Sequence, residues 1–134
     1  MIMILTFSTY MFRKFGSQTA EFYENMSDTE IYEFNQKFFK YETKNNQTIG
    51  THDVVSVINI AKDANKREIA PVVIDVKLIL DGSTLTLENL DDAYLEKMLS
   101  DELKSDNEKA KYTCKVEYAE NSNYVGYIEI QKNP

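Results

Sequence analysis

Residues 72–88, VVIDVKLILDGSTLTLE, decide the fold. Val72, Ile74, Val76, Leu78 and Leu80 alternate with Asp75 and Lys77, a period of two that puts the apolar side chains on one face of a strand. Asp81-Gly82 follows, and glycine takes positive φ without a steric penalty, so the chain turns back there. Residues 84–88 return as the partner strand. A second pair, YTCKVEY (112–118) and YVGYIEI (124–130), is joined by AENSN, whose Asn and Ser residues favour a turn. The four strands read as two antiparallel hairpins.

Upstream the period is that of a helix. Ser27 followed by Glu30 forms a capping box, and Ile31, Phe34, Phe38 and Tyr41 recur on one helical face, with Phe39 beside the stripe. Asn45 and Asn46 are natural stop residues for this helix. A second helix starts after Gly50 and turns Val54, Val57, Ile58, Ala61 and Asn65 to one side. Lys66 and Arg67 complement its C-terminal dipole, and Pro71 closes the segment.

Between the hairpins, Leu90, Tyr94, Leu95, Met98, Leu99 and Leu103 mark a third, short amphipathic helix. Residues 88–108 hold eight acids against Lys97 and Lys104, which is −6 of the chain's net −7. Glu88, Asp91, Asp92, Glu96, Asp101 and Glu102 are therefore the candidate interaction residues. Such a run is ordinarily a solvated, solubilising face, and a dense acidic face can also imitate a phosphate backbone and occupy a basic surface on a partner. The same stretch lacks the alternating Asp and Asn ligands of an EF-hand loop, so a calcium site is not expected.

Composition bounds the rest. The 134 residues are 43% hydrophobic and 12% aromatic, which suits one folded domain with one core. The negative balance argues against direct nucleic-acid binding, which needs a basic stripe. A single cysteine, Cys114, rules out an internal disulfide and a Cys-rich zinc site. It falls on the inward face of its strand with Tyr112, Val116 and Tyr118, where a small buried hydrophobe is expected. His52, the only histidine, neighbours Asp53, but adjacent helical residues point about 100° apart and cannot form a base and its orienting carboxylate. There is no phosphate-binding glycine loop, and neither a catalytic set nor a cofactor is expected. Asn25-Met26-Ser27 and Asn46-Gln47-Thr48 fit the N-glycosylation pattern, which is common by chance.

The first twelve residues carry no charge before Arg13, yet twelve helical residues cover only about 18 Å of a hydrocarbon core about 30 Å thick. Residues 1–15 read as the last turns of a membrane anchor, with Arg13 and Lys14 at the interface, and residues 16–134 as the domain; the alternative is that the run folds back on the sheet as an amphipathic helix or edge strand.

Phe34, Asn35, Phe38 and Tyr41, followed by Gly50, Asp53, Val54, Ile58 and Asn65, form a pattern. It resembles that of small single-pass, pilin-like or pseudopilin-like surface proteins of low-GC Gram-positive bacteria. The likeness covers residues 30–66. It implies a hydrophobic N-terminal helix, a small sheet downstream, an extracytoplasmic address at the cell membrane, and a structural or protein-binding role instead of catalysis. The prepilin signature, a basic leader followed by Phe and a Glu five residues on, is absent.

The resulting expectation is an α+β domain with N-terminal helices packed on a four-stranded antiparallel sheet and an acidic helical insertion between its hairpins. Its function is expected to be non-enzymatic, by contact with a protein partner or by self-assembly, with the membrane reached through the N-terminal segment. The alternative is a soluble, cytoplasmic acidic inhibitor of the phage type that masks a partner's basic surface.

Overall fold

A computed structural model describes residues 26–104 and 109–134. The apolar residues 1–15, the Asn25 acceptor, and Asp106 and Glu108 of the acidic stretch lie outside the described residues.

Helix α1 (Asp28–Phe39) starts at the capping box. The Glu30 N–H donates to Ser27 Oγ at 3.1 Å, and the Ser27 N–H donates to Glu30 Oε1 at 2.9 Å. The backbone and then the hydroxyl of Ser27 hold the Glu30 carboxyl below its ordinary value. The helix ends earlier than the asparagines suggest. Lys40 caps it, and Tyr41 packs on the core from beyond its end. The chain leaves the helix to bond to the sheet: the Thr43 N–H donates to the Cys114 carbonyl at 2.9 Å, and the Cys114 N–H donates to Thr43 Oγ1 at 3.0 Å. Asn45 and Asn46, at φ 41° and 33°, shape the following turn.

Helix α2 (Thr51–Arg67) buries Val54, Val57, Ile58 and Ala61 as its period requires. It stops at Glu68, which is left-handed at φ 52° and ψ 47°, before Pro71 is reached. Asn65 then ties the helix to the sheet. Its Nδ2 donates to the Ile74 carbonyl at 2.9 Å while its Oδ1 accepts from the Ile74 N–H at 2.8 Å.

The strands are β1 (Asp75–Leu80), β2 (Ser83–Thr86), β3 (Tyr112–Tyr118) and β4 (Val125–Lys132), with helix α3 (Asp92–Lys104) between the hairpins. Both hairpins form where the period of two places them, and Leu80 pairs with Ser83 around Asp81-Gly82. Strand β1 begins at Asp75 instead of Val72, and β2 ends at Thr86 because its N–H donates to Asn89 Oδ1 at 3.0 Å, closing a 3-10 turn over Leu87–Asn89.

The sheet is mixed, not wholly antiparallel. Its order is β2-β1-β4-β3, and β1 runs parallel to β4. The hairpins sit side by side so that inward rows match: Val76, Ile128 and Val116 form one, and Leu78, Ile130 and Cys114 the next. All six side chains are buried. Helix α2 packs against α1, α3 and β1, covering this inner face.

Two further expectations are corrected. Leu103 is 74% exposed because α3 turns it away from the core. Tyr118 is 56% exposed, not inward with Cys114, because the β3–β4 register shifts between Glu117 and Tyr118. Its ring lies 5.4 Å from that of Phe39. The extra residue at this bulge is Gly126, where an added Cβ would lie 2.5 Å from Ala119 Cβ.

Both sheet edges are blunted. Ile49 bridges Tyr112 along the outer side of β3, and β2 is four residues long with the Thr86 N–H already taken. At the β1–β2 turn, Gly82 has φ 76° and open space around its missing Cβ. Gly82→Val should therefore cost about 1–2 kcal/mol through backbone strain alone, against about 0.5 kcal/mol or less for an ordinary surface change. Gly82→Asn should cost less, and denaturant midpoints of the two variants check this.

Candidate functional site

The six acidic candidates do not converge on one surface. Asp91 caps α3 by accepting from the Tyr94 N–H at 2.9 Å, and Asp92 pairs with Lys62 of α2 at 3.0 Å. Asp101 pairs with Lys97 one turn back at 2.9 Å. Glu102 Oε1 accepts from the buried Thr51 hydroxyl at 3.1 Å and from the Ala110 N–H at 3.4 Å. At about 100° per residue, Asp92 and Glu96 lie on one side of α3 and Asp101 nearly opposite. Four of the six thus serve the fold. Glu88 and Glu96 stand exposed, with no ion pair to another described residue.

Asp101 and Glu102 line a cleft of about 580 Å³ with Thr51, Tyr94, Lys111 and Lys132. Glu88 lines a different groove, of about 540 Å³, with Asp75, Lys77, Thr86, Leu87 and Tyr127. Among the described residues no group of His, Cys, Asp and Glu is placed to hold a metal ion, and no helix is long and apolar enough to cross a membrane.

His52 is exposed on the first turn of α2. Cys114 is 2% exposed, and burial, aided by the Glu42 carboxylate, pushes its thiol up to about 12. A thiol that stays protonated at neutral pH is a poor nucleophile. The shift also fixes an alkaline prediction. The folded value lies above the ordinary 9.0, so the contribution to stability is complete below pH 9 and is lost as the pH climbs towards about 12. Tyr124, raised by burial and by Glu30 from 10.0 to about 12, acts in the same sense. Denaturant midpoints should fall across this window, and the fall should be shallower in Cys114→Ala.

The face that sequence reasoning missed is the outer face of the sheet. Its signal lay in the strands, in the residues alternating with the core. Asp75, Lys77, Thr84, Thr86, Thr113, Lys115, Glu117 and Gln131 are exposed, and Ile79, Tyr127 and Glu129 are half-buried. Among the described residues no helix covers them, and Leu87 and Glu88 of the 3-10 turn border the face beside Asp75, Lys77 and Tyr127. The ladder sets them in rows across β1, β4 and β3: Asp75–Tyr127–Glu117, then Lys77–Glu129–Lys115, then Ile79–Gln131–Thr113. Glu129 therefore has a lysine directly opposite on either side, a favourable cross-strand arrangement.

Tyr127 donates its hydroxyl to Glu129 Oε1 at 2.7 Å. Burial comes first and this bond second in raising its phenol to about 12, with the charges of Glu129, Glu117 and Asp75 adding to them. Lys115 reaches Glu117 at 3.2 Å, with both side chains about half in solvent or more. Such a pair is worth little by itself. The face is a platform of charges carried on paired strands, and it can bind by charge matching. No protein-family model, no curated protein and no solved structure matches this chain.

Proposed function

We propose that the chain is a non-enzymatic module that acts by contact with protein through the outer face of its sheet. The apolar N-terminal residues hold it at the extracytoplasmic side of the cell membrane, in the manner of a pilin-like structural subunit. One observation carries the contact reading. Three helices bury one side of a four-stranded sheet, and the other side presents ordered rows of charge that no described helix covers. The acidic face of α3 supports the inhibitor alternative less well, because Asp91, Asp92, Asp101 and Glu102 have partners within the domain.

Photo-crosslinking in the native host tests this reading, with the reactive residue at Gln131 on the open face or at Asn59 on the exposed side of α2. Covalent protein adducts are expected from position 131 and not from 59, with the full chain in the membrane fraction. Adducts from 59 alone, or from neither, contradict the contact surface. A chain found only in the soluble fraction contradicts the tether.

A further inference from the structure

The outer face is complementary to itself in one arrangement. Asp75 and Lys77 lie two residues apart on β1, Tyr127 and Glu129 on β4, and Glu117 and Lys115 on β3. On each strand the step between the two rows, about 6.6 Å, changes an anion for a cation or a phenol for a carboxylate. We propose that two copies of this chain pack face to face through the open side of the sheet. Their two-fold axis runs across the strands, over the row Val76–Ile128–Val116. This rests on the open face being the contact surface, and it commits that face to a second copy.

The axis turns each row onto its neighbour in the other copy. Asp75 faces Lys77 of the second copy, Glu117 faces Lys115, and Tyr127 faces Glu129. Each contact occurs twice, as an isologous interface requires. One row further out, Ile79 meets Val73, which is 73% exposed in the single chain. A two-fold that runs along the strands over β4 gives the opposite result. It sets Asp75 against Glu117, Lys77 against Lys115, and Glu129 against itself. Like charges in opposition disfavour that pairing.

The bonds already present do not consume the face. Lys115 and Glu117 are 64% and 47% exposed while paired, so each can turn to a new partner with little loss. The Tyr127 hydroxyl donates its one hydrogen to Glu129 Oε1 of its own chain, and in the pair it can give that hydrogen to Glu129 of the copy opposite in exchange. Stacked sheets lie about 10 Å apart, a gap that side chains of this length span.

The size of the face sets the strength. Four strands about 4.8 Å apart and five residues long cover roughly 300–400 Å² in plan. A standard interface buries about 800 Å² per partner. The pairing is therefore weak, concentration-dependent and reduced by salt.

Sedimentation equilibrium of the purified full chain, from low to high micromolar concentration and at low and high salt, reads the association. The chain is expected to dimerise reversibly at low salt. Asp75→Lys sets two cations against each other at both symmetry-related contacts, and Lys77→Glu sets two anions. Each variant by itself should associate at least about tenfold more weakly. Asp53→Lys and Lys66→Glu, which make the same charge changes on the exposed side of α2, should not. Mixing Asp75→Lys with Lys77→Glu puts unlike charges together again, and the mixture should form a heterodimer where neither variant pairs alone.

A chain that stays monomeric, reversals that leave the dimer intact, or a mixture no tighter than its components each overturns the proposal. If the monomeric chain still yields adducts to another protein from position 131, self-pairing fails and the contact reading survives. If 131 yields no adducts either, both fail.

Discussion

Replacing Phe38 by alanine should lower the unfolding free energy by about 3–5 kcal/mol, a large part of the 5–15 kcal/mol that holds a domain of this size together. Phe38 is fully buried. Phe34 meets its ring edge-on at 5.4 Å, and Tyr124, from the β3–β4 turn, meets Phe34 at 5.9 Å. Removing the ring loses its transfer free energy and leaves a cavity beside Phe34 in the core. The surroundings cannot close it, because α1 is tied by Asn35 to the start of β4 and beyond its C-terminal end by Thr43 to β3. A denaturant melt should show a lower midpoint with an unchanged slope. An unchanged midpoint would place this stripe on the surface.

Asn35 should be nearly as costly. It is 6% exposed, one position along the helix from Phe34. Its Nδ2 donates to the Asn123 carbonyl at 2.8 Å, and its Oδ1 accepts from the Val125 N–H at 2.9 Å. The side chain completes the backbone bonding at the start of β4. Asn35→Leu strands the buried Val125 N–H away from water, at about 1–3 kcal/mol, and removes the donor to the partly buried Asn123 carbonyl. A total loss of roughly 2–5 kcal/mol is expected in the same melt. Asn35→Asp keeps an acceptor for Val125 but turns an oxygen towards the Asn123 carbonyl. Protonating it restores a donor, so its deficit should shrink as the pH falls.

These two residues show how far the sequence could be read. Phe38 was legible because its burial follows from spacing along one helix. Asn35 was not, because its partners lie 88 and 90 residues away, in a turn whose position depends on the whole sheet. The hairpins followed from the period of two and from Asp81-Gly82, which are local. The parallel pairing of β1 with β4 did not, since a turn specifies only the partner strand beside it. Adjacency of hairpins is decided by the fit of Val76 on Ile128 and Leu78 on Ile130 under the helices. Tyr118 was misplaced for a related reason: a period of two carries no mark of a bulge, and Gly126 gains meaning only when Ala119 is seen against it.

The acidic stretch shows the same limit on the functional side. Counting charge located a dense run but could not reveal that Asp91 caps a helix, that Asp92 reaches Lys62, or that Glu102 holds Thr51. The open face was dispersed through the strands as the residues between core positions. It becomes a surface only once the strand order sets Lys77, Glu129 and Lys115 in one row.

Amide chemical shifts of the full chain, followed from dilute to concentrated at low salt, test most directly whether this face is where two copies of the chain meet. Shifts should move at Asp75, Lys77, Lys115, Glu117, Tyr127 and Glu129 while those of α2 and α3 stay fixed. Shifts that gather on the Asp92–Glu96 side of α3, or on the exposed rings of Tyr32 and Tyr118, or that do not move at all, would contradict it.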